Sequence, residues 1–301
     1  MVVVFALAAA LLYGSADFLG GAASRQTRAM SVVTVSAPVG ALAMLAVALV
    51  GGGSAHASGL AWAAAGGTVG GVGLIVFYAG LAAGPMSVVA PVSALTSTIL
   101  PVGVALAGGE RPGMHVYTGV IACLAAVGLV SLQGARPAKP VTPAAGQAGA
   151  GGDRVVSRPG SHHGTARGLG YGIAAGLSFG VFFVFLRNAG TSGVFWPVCV
   201  ARLAGTSVAL AAALLLGARP VWRSAGSVWW ATVGSGILDA AANICYVLAT
   251  RAGLFGIAVV LTSLYPGITV LLARAVLGER TRAVQRVGLV LAAAGVALVT
   301  V

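Results

Sequence analysis

Arg202, Asp239 and Asn243 are polar side chains set inside stretches otherwise apolar enough to lie in a bilayer. An ionisable group inside a membrane segment is costly, and by default it marks a pathway or a binding site. Arg202 falls about eight residues into its apolar stretch, roughly 12 Å deep at a rise of 1.5 Å per residue. Asn243 lies eight residues before Arg251 and reaches a similar depth from the same face of the membrane. Asp239 is one turn away on the same helix face, because positions i and i+4 align, and Tyr246 extends that stripe. Arg202 can therefore pair with Asp239 if their helices are neighbours. In one reading Arg202 meets a substrate carboxylate, Asp239 and Asn243 complete the site, and Asp239 is a candidate carrier of a coupling proton. In the other, the two charges are a buried pair that fixes helix packing.

A second set of candidates comes from other apolar stretches. Asp17 follows Tyr13 by four residues, so the two share a helix face. Asp17 is open to proton coupling or to an interfacial structural role near Arg25. Pro91, Ser93 and Thr96 in one half face Ser263, Tyr265 and Pro266 in the other at matching positions. Proline interrupts helical hydrogen bonding, and freed carbonyls in a membrane are tolerated where they face protein or a wet cavity. Paired interruptions in two halves point to a substrate site, with a packing kink as the alternative. Phe179, Phe182, Phe183 and Phe185 read first as lipid-facing or packing residues, with cavity lining as the alternative. Trp62, Trp196, Trp222, Trp229 and Trp230 fit an interfacial aromatic belt.

The elements that must position these residues are membrane spans. The chain has 301 residues, 58% hydrophobic and 7% charged, against about 25% charged in a soluble domain. A spanning helix needs about 20 mostly apolar residues. That ruler marks ten spans: 2–21, 31–50, 60–82, 86–107, 114–132, 168–187, 194–216, 227–250, 254–277 and 283–301. The first span reads as retained rather than as a cleaved leader. Cys123, Cys199 and Cys245 lie in apolar runs without metal-ligand spacing, so neither a disulfide nor a metal is expected. The net charge of +12 sits almost wholly in loops, which fits topology determinants beside anionic lipid rather than nucleic-acid binding.

Residues 84–132 and 253–301 align without a gap at an offset of 169, anchored by Gly109-Glu110-Arg111 against Gly278-Glu279-Arg280. For the first two spans of each half an offset of 166 works better, pairing Tyr13-Gly14 with Phe179-Gly180 and Ser36 with Arg202. Five spans per repeat is an odd number, so the second copy enters the membrane from the opposite side. The expected architecture is all-α, with ten transmembrane helices in two inverted five-helix repeats, 1–132 and 168–301. Residues 133–167, rich in Pro, Gly and basic residues, read as a flexible aqueous linker. His162 and His163 within it lack metal-ligand partners in sequence. Glu110 and Glu279 sit before a following helix, where a carboxylate complements the helix dipole.

Together Tyr13-Gly14-Ser15, Gly109-Glu110-Arg111, Ala201-Arg202-Leu203 and Leu277-Gly278-Glu279-Arg280 resemble the drug/metabolite transporter superfamily, EamA-type. The resemblance covers the chain apart from the linker, and it implies ten spans in two five-helix repeats. The family commonly has an arginine in the second span where this chain has Ser36, so only the second half keeps that charge.

Loops on the amino-terminal side carry three basic residues, Arg111, Arg187 and Arg251, and loops on the other side carry thirteen. The positive-inside rule then places the linker in the cytoplasm and both termini outside, opposite to the arrangement usual among the proteins it resembles. No phosphate loop or helical zinc motif occurs, and no cofactor is expected. The expectation is a secondary transporter in the plasma membrane, exporting small polar or amphipathic metabolites by alternating access and drawing on a proton or other ion gradient. It would act as a monomer or homodimer. A non-transporting scaffold or sensor that keeps the same fold is the alternative, and an intramembrane enzyme lacks a convergent nucleophile and base.

Overall fold

The computed structural model describes residues 1–24, 26–53, 56–83, 86–111, 113–131, 162–190, 193–218, 226–277 and 283–300. The first half contains α1 (Val2–Ser24), α2 (Ala29–Gly51), α3 (Ala57–Ala83), α4 (Met86–Ala107) and α5 (Met114–Ser131). The second contains α6 (His162–Gly190), α7 (Phe195–Leu215), α8 (Gly226–Ala252), α9 (Phe255–Thr262), α10 (Tyr265–Leu277) and α11 (Ala283–Thr300). No strand occurs among the described residues. Among the described residues, seven apolar segments are long enough to cross a membrane, α9 and α10 counting together, and three shorter apolar helices accompany them. Large apolar side chains such as Leu42, Leu49, Leu215, Trp230 and Val290 are exposed on the outside, as a bilayer requires and water does not favour.

Helix ends fall near those read from hydropathy, with one informative exception. Helix α6 begins at His162, six residues earlier than the apolar ruler places the span, so 162–167 are helix rather than linker. A hydropathy window registers only the apolar part of a helix, and His162, His163 and Arg167 extend it as a polar first turn. The rest of the linker, 133–161, lies outside the described residues, as does Glu279.

Packing follows an exchange between the halves. Helix α3 packs on α6 where α8 packs on α1, and α4 packs on α6 where α9 and α10 pack on α1. Likewise α3 meets α7 where α8 meets α2, and α5 pairs with α11. Two glycines at equivalent positions, Gly67 and Gly236, make the close crossings possible. A Cβ on Gly67 would overlap the Ala201 carbonyl of α7, and a Cβ on Gly236 would overlap the Ser36 carbonyl of α2. Small residues at such crossings let backbones approach, and dispersion supplies the attraction. Gly236→Val is expected to lower stability by about 1–3 kcal/mol through overpacking, read as a fall in the thermal unfolding midpoint.

The two ends of the bundle differ. Toward the end that carries the amino terminus, Ala9, Met44, Ala48, Leu186, Val198 and Phe255 belong to one buried apolar cluster. Ala6, Ala249, Ala258 and Leu261 extend it. The other end holds a much smaller buried cluster, Ala23, Val32 and Val228, and beside it lies the principal cavity.

Candidate functional site

The cavity of about 290 Å³ lies between the two halves. Helix α1 contributes Tyr13 and Asp17, α6 contributes Phe179, Phe182 and Phe183, and α7 contributes Arg202 and Thr206. Asp239 and Asn243 of α8, Ser97 of α4 and Tyr265 of α10 complete the polar and aromatic lining. Asp17 is exposed, so the cavity reaches the surface there, on the side away from the apolar plug. Along α1 the order is plug residues Ala6 and Ala9, then Tyr13, then Asp17. The same order holds on α7, from Val198 to Arg202 and Thr206.

Arg202 and Asp239 form an ion pair across α7 and α8, with 19% and 33% of their side chains accessible. Arg202 gains its place because Gly40 of α2 has no side chain, since a Cβ there would lie 2.6 Å from the guanidinium. Asn243 donates its Nδ2 to the Asp239 carbonyl at 2.7 Å. Its buried Oδ1 has no partner among the described residues, and neither do the buried Tyr13 Oη and Arg202 Nε atoms. Buried polar atoms in native proteins are nearly always satisfied, so three orphans converging on one cavity are a feature of the site. The Asp17 carboxylate takes part in no ion pair or hydrogen bond among the described residues.

An aromatic wall faces this polar group. Tyr13 stands edge-on to Phe183 with centroids 6.4 Å apart, and tilted against Tyr265 at 6.1 Å. Phe182 packs on Phe183 at 5.2 Å. Threads of side-chain-to-backbone bonds tie the lining helices together. Thr206 Oγ1 donates to the Ala37 carbonyl at 3.2 Å, Ser235 Oγ to Ala16 at 2.9 Å and Thr269 Oγ1 to Gly14 at 3.0 Å. Gly14 also explains the Tyr13-Gly14 pair: a Cβ there would meet Ile268 at 2.5 Å and the Tyr265 carbonyl at 2.6 Å.

The structure thus brings Arg202, Asp239, Asn243, Tyr13, Tyr265 and Asp17 to one cavity. Four other candidates lie elsewhere. Tyr246 is 1% exposed and donates its hydroxyl to the Phe183 carbonyl at 3.1 Å, outside the cavity. The Ser93 backbone and the Thr96 Cβ lie against Gly176 of α6 at a helix crossing, and α4 presents Ser97 to the cavity instead. Ser263 bonds back to the Val260 carbonyl at 2.7 Å. Tyr246→Phe is expected to lower stability by about 1 kcal/mol, the net worth of one hydrogen bond, and to leave the KM for flux unchanged.

Paired helix interruptions are corrected as well. Helix α4 runs unbroken past Pro91, with Ser97 and Thr98 hydroxyls both bonding to Ala94. The second half alone is broken, between Thr262 and Tyr265. Pro266 sits in the first turn of α10, the place where a missing N–H costs least. Phe179, Phe182 and Phe183 line the cavity rather than facing lipid, and Ser97 and Thr206 join them. An all-apolar helix carries no periodic signal of which face turns inward, whereas Gly180, packed against Ser97 and Leu100, fixes the rotation of α6.

Glu110 has a different partner from the one its position suggests. Gly109 ends α4 in the left-handed region with φ 90°. The N–H groups of Gly109 and Glu110 bond to Leu106 and Ala105, both at 3.1 Å, a Schellman ending. This aims Glu110 away from α5 and across to the other half. Its carboxylate accepts from the N–H groups of Phe255 at 2.8 Å and Gly256 at 3.0 Å, capping α9. The Arg187 guanidinium lies 4.6 Å over the Phe255 ring.

Apolar helices around an internal cavity with an ion pair and an aromatic wall are the architecture of a multi-pass membrane protein. Residues 166–301 match the EamA-like transporter family. This second half of the chain is therefore similar to the EamA-type members of the drug/metabolite transporter superfamily. A crystal structure 18% identical aligns with a TM-score of 0.75, covering 99% of this chain and 96% of that one, and so shares the fold. No curated protein matches the sequence. That similarity supports a membrane transporter acting on a small molecule.

Proposed function

We propose that the chain is a secondary exporter of small polar or amphipathic metabolites, with ten spans in two inverted five-helix repeats that rock about the cavity. The observation that carries this reading is the cavity itself, closed by an apolar plug at one end and open beside Asp17 at the other. The exchange of packing partners between halves supports the inverted repeat, since each helix of one half has its counterpart's contacts in the other. A substrate site at the interface of such repeats is the expected place.

The thirteen-to-three excess of basic residues on the open side argues for a cytoplasmic linker and external termini in the plasma membrane. On that orientation the cavity faces the cytoplasm, the state that loads a substrate for export. Arg202 is already engaged with Asp239, so this pair orients substrate through its remaining donor and acceptor positions rather than serving as a free cation. Asp17 is then the carboxyl available for a coupling proton. A single chain contains both halves of the pathway and can work as a monomer.

The test compares intracellular and extracellular metabolites in cells that lack or overproduce the protein, with Asp17→Asn produced to the same level. An exporter lowers the internal and raises the external pool of its substrate, and Asp17→Asn abolishes accumulation against a gradient. Equal pools in all strains would refute the reading.

A further inference from the structure

Among the charged groups that line the cavity, one cation stands against two carboxyls: Arg202 against Asp239 and Asp17. The first two neutralise each other as an ion pair. Asp17 is left over, accessible and engaged by no partner among the described residues. With both carboxyls ionised, the lining carries a net charge of minus one. Around this carboxylate stand the rings of Tyr13, Tyr265, Phe179, Phe182 and Phe183, whose faces attract cations electrostatically. Two of the three orphaned buried atoms are oxygens able to accept a hydrogen bond, Asn243 Oδ1 and Tyr13 Oη, and Asn243 is 2% exposed. An N–H donor on the ligand would satisfy them. The volume of about 290 Å³ lies at the small end of the roughly 300–1,000 Å³ usual for ligand pockets.

We infer that the cavity selects small organic cations that carry a protonated amine on an apolar or aromatic body. The charged head sits between Asp17, Tyr13 and Asn243, and the body lies against the phenylalanine wall. A carboxylate of the same shape is rejected, because the charge of the only guanidinium in the described lining is neutralised by Asp239 and Asp17 repels it. A quaternary ammonium is accepted less well than a protonated amine, since it has no N–H for Asn243. This rests on the cavity being the substrate site of the transporter, and it names the substrate class of that site.

The experiment measures equilibrium binding to the purified full-length protein in lipid nanodiscs by calorimetry. The probes are phenylethylammonium, its trimethylated quaternary analogue, phenylacetate and phenylethanol. The expected result is a Kd for phenylethylammonium at least tenfold below that for phenylacetate, with the quaternary analogue and the alcohol between them. Asp17→Asn should weaken phenylethylammonium at least tenfold and change phenylethanol less than twofold. Asn243→Leu should erase the preference for the protonated amine over the quaternary analogue. Thermal unfolding of each variant verifies folding, and retained phenylethanol binding verifies an intact cavity. Phenylacetate binding as tightly as the ammonium, an Asp17→Asn protein with unchanged ammonium affinity, or no saturable ammonium binding would each overturn the inference. Flux in proteoliposomes is scored separately. Ammonium binding without flux defeats the transport reading alone, and flux of anions without ammonium binding defeats the inference alone.

Discussion

Arg202→Leu is expected to destabilise the protein by more than Arg202→Leu combined with Asp239→Leu, although it removes fewer polar groups. The single change strands Asp239 in a membrane-embedded cavity with no counter-charge, and breaking a fully buried pair in this way costs roughly 3–5 kcal/mol. Asp239 keeps 33% of its side chain accessible, and solvent in the cavity screens the orphaned charge. The expected loss is therefore about 2–3 kcal/mol, below the range for a fully buried pair. The double change removes both desolvation penalties and leaves apolar side chains of similar bulk, so its loss should stay under about 1 kcal/mol. Thermal unfolding in nanodiscs reads both values. Flux separates packing from chemistry: if Arg202 and Asp239 merely hold α7 to α8, the double variant transports normally. If they orient substrate, it is stable and inactive, which is the outcome expected here. Exchange of the two residues, Arg202→Asp with Asp239→Arg, restores a pair but moves the guanidinium away from Gly40, whose missing Cβ makes room for it. Flux should not return.

The legible part of this molecule is what the bilayer dictates. Apolar helices could be placed to within a few residues because every backbone group in lipid must be satisfied within a helix. Length and apolarity then leave little freedom. Arg202 and Asp239 could be paired in advance because buried charge is too costly to lie anywhere but beside a partner. Hydroxyls behave differently. Tyr246, Ser93 and Ser263 share the residue types of a binding site, but a hydroxyl in a helix can bond to a carbonyl one turn back or across a crossing, as Ser263 does to Val260 and Tyr246 to Phe183. Residue type alone does not tell these outcomes apart. Nor does it tell a phenylalanine facing lipid from one facing a cavity, because the environments are equally apolar and differ only in which neighbour is near. The clue that could have turned α6 correctly is Gly180, the counterpart of Gly14, since both mark the face on which the next helix packs.

Glu110 is the residue whose role depends most on the other half of the chain, and its removal should open the plugged end. Its carboxylate accepts two N–H groups at the start of α9, where the positive end of the helix dipole also lies. Phe255, the first residue so capped, is buried in the apolar plug and lies under Arg187. In the proposed rocking of the halves, α9 must leave Glu110 for this end to open, so the bonds favour the closed state. Loss of a helix cap is worth about 0.5–2 kcal/mol, and the charge on the acceptor places this one near 2. A shift of about 2 kcal/mol is roughly thirtyfold in an equilibrium, at tenfold per 1.4 kcal/mol. Cys199 is a native reporter, fully buried in the same plug. With Cys123 and Cys245 changed to serine, an impermeant maleimide added from the side of the amino terminus should label Cys199 about thirtyfold faster in Glu110→Ala. Glu110→Gln keeps a neutral acceptor and should give a few-fold increase. Labelling that rises equally from both sides would mean general loosening, and an unchanged rate would show that α9 is held by its apolar contacts alone. The expected asymmetry follows from the site of the bond: it joins the halves across the plug and touches nothing at the mouth beside Asp17.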